Sequence, residues 1–342
     1  MSGRIITAIF MIFMMHTGAL GQGKDTIILK NGQTLIGAVK QANLGAIRFD
    51  DIDLKLITIK LIKIKRLVVM ERFKIETVDK EFYYGSMRTT DREGWVEIHT
   101  VEGKLIPLHI THIFQLISLE AGFFNRLTGS VTAGFSFTKT NGIGQFNFSG
   151  DAAYSTKLID YSLSLSSIGS LDSGRYSRDN ENMQFLTTYD LTTTWFLAAQ
   201  AQYQRNLELS ISRRYLLLAG VGNKLFIKKT WRLLGITGIT VSQEKSTEGV
   251  SSVALFEIPA TLLFNFYQFQ HPDIQITSSQ SVYFSLTQKG RIRYDGSTTF
   301  SWQLIRYFYF NMSPYINFDN MPPSGSASNF DFGIVVGLSY KF

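Results

Sequence analysis

From Leu127 to Phe342 the apolar residues recur at every second position, segment after segment, and this alternation admits little besides strands. "LTGSVTAGFSFTK" puts Val131, Ala133, Phe135 and Phe137 on one face. "QFNFSGDAAYS" sets Phe146, Phe148, Gly150, Ala152 and Tyr154 against Asn147, Ser149 and Asp151. "DYSLSLSS" sets Tyr161, Leu163 and Leu165 against three serines. The last stretch, "GIVVGLSYKF", carries Ile334, Val336, Leu338, Tyr340 and Phe342 at one parity and small or polar residues at the other. About twelve such segments of roughly ten residues follow one another, the length of a tilted strand that crosses a bilayer. An even count returns the last strand to the side on which the first began.

Loop lengths give an independent test. With Leu127 on the inner side, the connections "IGSLDSGRYSRDNEN", "QEKSTEGVSS", "TQKGRIRYDG" and "DNMPPSGSASN" all fall outside and are long. "STKLID", "LTTTW", "FQHPD" and "IRY" fall inside and are short. Two connections depart from the rule: "NKLFIKKT" is long for an inner turn, and the link near Asn206 is short for an outer one. A soluble β-sandwich would alternate too, but it would not order its loops in this way.

Composition agrees with a barrel rather than a helical bundle. Hydrophobic residues make up 44% of the 342 and charged residues 18%, and no stretch after the amino terminus is apolar enough for a spanning helix. Aromatics reach 13%, with 28 Gly and only 6 Pro. A closed barrel satisfies every backbone group between strands and shows lipid only alternate residues, so its average hydropathy stays near neutral. At the other end, Arg4, the apolar run Ile5 to Met15 and the small residues Ala19 and Gly21 read as a signal peptide over residues 1–21, with maturation near Gln22. A retained anchor helix is the other reading of that run. The absence of cysteine excludes disulfides, thiolate metal sites and a cysteine-linked lipid anchor.

Residues 22–122 read differently. "DTIILKNGQTLIGAVKQANLGAIRFD" holds an Asn31–Gly32 turn between two alternating arms, a hairpin signal. A second copy follows about fifty residues on. Gly37 matches Gly85, Gly45 matches Gly94, and "KIKRL" matches "HIFQL". Two small SH3-like or Sm-like β modules are expected, over residues 22–72 and 73–122, ahead of a roughly 12-stranded antiparallel transmembrane barrel over 123–342. The architecture is all-β. Lys60, Lys63, Lys65 and Arg66 lie among aliphatics and read as a solvated basic strand face or as a docking surface. Nucleic acid is not expected as a partner.

Candidate chemistry is sparse. Of five histidines, His16 lies in the signal, His99, His109 and His112 in the modules, and His271 in a short inner turn. No Ser–His pair can be placed on outer strand ends, as a membrane-edge hydrolase requires. His109 and His112 at i and i+3 in a strand point to opposite sides, which argues against a metal site with Glu97 or Glu102. No catalytic residue, metal or cofactor is expected. Asp151, Asp190, Glu208, Arg214 and Glu257 fall at lumen parity and are expected to form a polar interior lattice. Leu186, Leu216, Leu218, Leu234 and Ile236 would also face inward and argue against a wide pore. Arg175, Arg178, Lys289, Arg291 and Arg293 fall in outer loops, where arginine's paired donors suit lipopolysaccharide phosphates.

The module "LKNGQTLIGAVK" and a barrel containing "NLELSISRRYLLLAGVGNKL" and closing with "FDNMPPSGSASNFDFGIVVGLSYKF" resemble an outer-membrane β-barrel family of unknown function, often labelled salt-induced outer membrane protein. The resemblance implies a Gram-negative outer-membrane location with the amino-terminal part in the periplasm. Leu338, Tyr340 and Phe342 resemble the terminal signal read by the barrel assembly machinery. The second module departs from simpler members and favours binding of a periplasmic protein or peptidoglycan. The expected role is accessory or structural, in contact with outer-membrane lipid and lipopolysaccharide. A narrow channel for small solutes is the alternative.

Overall fold

A computed structural model describes residues 24–119, 126–138, 143–172, 175–268, 273–305, 308–323 and 328–341. Nine strands form the amino-terminal domain: β1 (Asp25–Leu29), β2 (Thr34–Asn43), β3 (Ala46–Asp51), β4 (Lys55–Lys60), β5 (Ile64–Thr77), β6 (Phe82–Thr89), β7 (Trp95–Thr100), β8 (Leu105–His109) and β9 (Ile113–Ser118). Twelve more form the barrel: β10 (Leu127–Thr138), β11 (Ile143–Ser155), β12 (Ile159–Asp172), β13 (Arg175–Asp190), β14 (Trp195–Asn206), β15 (Ile211–Ile227), β16 (Trp231–Ser246), β17 (Leu255–Gln268), β18 (Ile274–Ser285), β19 (Ile292–Ile305), β20 (Phe308–Asp319) and β21 (Phe330–Lys341).

The duplication is visible in the backbone. Each copy runs hairpin, hairpin, 3-10 turn, closing strand, with the turns at Leu61–Lys63 and Ile110–His112. The second turn overturns the opposite faces expected of His109 and His112, because it replaces the strand between them and brings their rings to 6.0 Å. Gly45 and Gly94 both hold positive φ, 81° and 78°. Their carbonyls accept equivalent bonds from Leu61 N–H at 2.8 Å and Ile110 N–H at 2.9 Å. The copies do not form separate cores. β5 runs unbroken through the expected boundary after residue 72, and β9 pairs with both β2 and β5. The ring β1–β2–β9–β5 is therefore closed by strands from both copies. One cluster, including Ile27, Phe49 and Leu67 from the first copy and Met87, Ile98 and Leu116 from the second, fills it.

Gly37 and Gly85 occupy equivalent crossings where the backbones touch. A Cβ there would lie 2.0 Å from the Asp50 carbonyl oxygen and 2.1 Å from that of His99. Gly37→Ala and Gly85→Ala are each expected to destabilise the domain by about 1–3 kcal/mol or more, since backbone must shift. Denaturant titration of the full chain checks this. A midpoint unchanged in one variant and lowered in the other would show that the crossings are not equivalent.

The barrel closes as expected, with neighbours pairing in order and β21 returning to β10 from Ser130↔Lys341 to Ala133↔Leu338. Its outer face is apolar: Phe135, Leu217, Ile239, Leu262, Ile334 and Leu338 are exposed there. Aromatic pairs ring both ends. Tyr154–Tyr161, Phe226–Trp231, Trp231–Phe264 and Phe308–Tyr340 lie near one end, with centroids 5.6 to 6.1 Å apart. Phe135–Phe146 and Tyr203–Tyr215 lie near the other. An apolar belt between two aromatic girdles on an edgeless barrel is the form of a transmembrane barrel.

Two expected outer loops are in part strand. β12 and β13 extend to Asp172 and from Arg175, past a bulge at Ile168–Gly169, and β19 begins at Ile292. The overlong inner turn is also resolved. β15 continues through a bulge at Lys224–Phe226 to Ile227, which leaves residues 228–230 as the turn.

Candidate functional site

The lumen follows from the same parity as the outer belt. In β15, Arg214, Leu216 and Leu218 are buried while Tyr215 and Leu217 are exposed to the outside. The inward side chains sort into three levels along the barrel axis.

At the end with the longer loops, a charged lattice crosses the lumen. Arg214 on β15 meets Glu244 on β16 at 3.1 Å and Asp319 on β20 at 3.2 Å. It also donates to Gln204 at 2.8 Å. Arg291 donates to Asp319 at 3.0 Å and to Glu244 at 2.8 Å. Arg293 makes a two-point bond to Glu257 and stacks 4.5 Å over the Tyr283 ring. β15 and β20 lie on nearly opposite sides of the ring, so the Arg214–Asp319 pair is a bridge across the lumen. A second chord runs from Asn206 on β14 to Asp331 on β21, at 2.7 Å. Arg214, Glu244, Glu257, Arg291, Arg293 and Asp319 are all at most 2% exposed. Ions so far from water persist only when each meets an opposite charge with good geometry.

The middle level is lopsided. Phe196, Ala198, Leu216, Leu218, Ile236 and Tyr283 pack as an apolar cluster against one wall, with Leu186, Leu234 and Leu263 beside them. A chain of amides, Gln184 to Gln200 to Gln202 to Asn182, runs alongside. The facing wall is lined by small polar residues that remain exposed at inward positions, among them Ser162, Ser166 and Ser297.

The third level is the mouth ringed by short turns, and the amino-terminal domain sits on it. Lys74 and Glu76, on the face of β5 opposite the core residues Phe73 and Ile75, meet side chains of the mouth. Lys74 Nζ reaches Asp190 at 2.7 Å; Lys224 Nζ reaches Glu76 at 3.0 Å and Asp190 at 3.3 Å. Both ammonium groups lie over the Phe82 ring, 4.4 and 4.6 Å from its centroid. Lys80 donates to the Lys224 carbonyl at 2.6 Å, Lys60 pairs with Asp273, and Lys157 stacks on Tyr84 at 4.5 Å. Burial pushes the Glu76 carboxyl above the usual carboxylate range, against the pull of the Lys224 ammonium. Two cations and two carboxylates thus join the cap to the β13–β15 side of the mouth as one desolvated set.

The family model described as "Protein of unknown function, DUF481" matches residues 125–342. The chain belongs to this family. No curated protein matches it in sequence. Among solved structures it is similar to a bacterial polysaccharide outer membrane secretin, at 8% identity and a TM-score of 0.34, covering 63% of this chain and 97% of that one. The translocator domain of the autotransporter NalP from Neisseria meningitidis gives 11% identity and 0.34, covering 63% and 87%. A porin gives 10% identity and 0.27, covering 93% and 98%. At such scores no pore property or cargo carries across.

In this DUF481 barrel the expected lumen residues divide. Asp190, Arg214 and Glu257 are buried and ion-paired, but in two separate clusters at opposite ends. Asp151 faces inward and accepts from Ser130 at 3.0 Å, away from both. Glu208 is not in the wall. It sits exposed in the tight turn 207–210, where Ser210 takes φ 53° and ends the alternation. Arg175, Arg178 and Lys289 are exposed at the outer end, as a lipid-phosphate contact needs. Arg291 and Arg293 are not, because β19 starts at Ile292 and parity turns both inward onto carboxylates. Leu338 and Tyr340 lie on the lipid face, and Phe342 and His271 fall outside the described residues. Sequence reasoning missed Asp319 and Asp331, which have partners across the lumen, Glu244, which faces Arg214 on the next strand, and Lys74, Glu76 and Lys224, which become buried only when the domain docks.

Proposed function

We propose that the protein is a non-enzymatic outer-membrane barrel whose amino-terminal domain stands in the periplasm as a fixed cap, presenting its free surface to an envelope partner. The buried Lys74–Asp190–Lys224–Glu76 set at the mouth carries this reading, because a domain serving only as a tether would not desolvate four charges against the barrel. The short turns at the capped end support its periplasmic side. The bridged outer end argues in the same direction, since a lumen crossed by Arg214–Asp319 and Asn206–Asp331 has little room for solute flow.

A narrow channel is the second reading, favoured by the exposed inward serines of the middle level. Planar-bilayer recording of the full chain separates the two. The expected result is no unitary steps from the full chain. Reproducible steps, enlarged when residues 24–119 are removed, would replace the accessory role with a capped channel.

A further inference from the structure

A cleft of about 500 Å³ lies beside the second repeat of the cap, and its lining includes Lys229 from the β15–β16 turn. It plays no part in closing the mouth. Its volume falls within the range of about 300–1,000 Å³ common for small-ligand sites. Lys229 fixes its depth. Phe226 and Trp231, just before and after that turn, meet at 5.9 Å in a tilted pair on the lipid face, and Trp231 meets Phe264 at 6.1 Å. Such a girdle lies at headgroup level. Lys229 therefore brings the barrel edge of the cleft close to the level of lipid phosphates and their substituents.

Its chemistry has two signs. Lys229 supplies an ammonium and His112 an imidazole N–H donor, and Asp79 and Glu81 supply exposed carboxylates. His112 Nδ1 stands 3.7 Å from Asp79, so the imidazole and the carboxylate are side by side. Tyr83 and Trp95 form apolar walls, and His109 meets Trp95 edge-on at 5.5 Å while bonding Thr111 at 2.8 Å. Arg92 covers the Trp95 face at 4.5 Å, so no open aromatic cage is offered to a quaternary ammonium.

We propose that this cleft binds the headgroup of an ammonium-bearing phospholipid from the leaflet facing the cap, with the phosphate at Lys229 and His112 and the primary ammonium at Asp79 and Glu81. A primary ammonium offers N–H donors that a trimethylammonium lacks, and a glycerol headgroup carries no cation. Phosphatidylethanolamine meets both requirements, whereas phosphatidylcholine and phosphatidylglycerol each fail one. The inference rests on the membrane placement proposed above and is independent of the accessory role.

The test is native mass spectrometry of the full chain, folded and inserted as judged by heat-modifiable migration, after exchange into equal amounts of the three lipids. One phosphatidylethanolamine is expected to be retained about tenfold over either competitor, the ratio that about 1.4 kcal/mol gives. The pair Lys229→Gln with His112→Gln, and separately Asp79→Asn with Glu81→Gln, should abolish the preference while insertion is kept. Equal retention of the three lipids, or a preference unchanged in both double variants, would overturn the site. Complete displacement by soluble glycerophosphoethanolamine would reassign it to a free solute. Failure of the parent chain to insert would instead overturn the membrane placement, and the site with it.

Discussion

Asp319→Ala should lower the temperature of barrel unfolding more than any substitution on the lipid face. Asp319 is 1% exposed and accepts from Arg291 at 3.0 Å and Arg214 at 3.2 Å. Without it, two buried guanidinium groups share Glu244 alone, and one positive charge is left uncompensated. Breaking a buried ion pair by removing one partner costs about 3–5 kcal/mol, largely because the other charge stays buried. Asp319→Asn should fall between, since its amide oxygen still accepts but cannot neutralise. Replacing Arg214, Glu244, Arg291 and Asp319 together by apolar residues of similar volume should be milder than Asp319→Ala, because no unpaired ion remains. The temperature at which the folded band converts to the unfolded one on gel electrophoresis reads all three. Equal conversion temperatures for Asp319→Ala and the parent would mean that the lattice is hydrated and weak.

This lattice also shows where sequence reading stops. The barrel was legible because lipid on one side forces strict period-2 alternation, and the strand count, closure and inner-end turns follow from it. The lumen carries no comparable rule. Arg291 and Arg293 were expected in a loop because a polar lumen strand and a polar loop have the same composition; only their parity with Tyr283 and Asp319 distinguishes them. Pairs such as Arg214–Asp319 join strands far apart in sequence, and no local pattern records them. The duplication, by contrast, was readable from Gly37, Gly45, Gly85 and Gly94, since close approach or positive φ admits little else there. The shared core was not, because β9 crosses between copies. Lys74 and Glu76 in "ERFKIET" look like an ordinary solvated strand face until the barrel covers them.

That covering is the second large effect. Asp190→Ala should undock the cap. Asp190 holds Lys74 at 2.7 Å and Lys224 at 3.3 Å, and its loss leaves two ammonium groups against Glu76 alone. A cost of about 3–5 kcal/mol is expected for a buried pair broken from one side. Distances between spin labels on the cap and on a barrel turn should then broaden and lengthen, while barrel unfolding is unchanged. Lys74→Met should cost less, since Asp190 keeps Lys224, and adding Asp190→Leu to it should cost less than the sum of the two single changes, as expected for side chains in contact. The pH response has a definite sign. Burial raises Glu76 above 4.5, so the docked form binds this proton more tightly than the undocked form does. Between 4.5 and the raised value the Glu76 contribution to docking therefore falls as pH rises, and acidification through that window strengthens the seat. Glu76→Gln should remove this dependence. Release of the cap on mild acidification in the parent, retained in Glu76→Gln, would place the titrating group elsewhere and remove Glu76 from the latch.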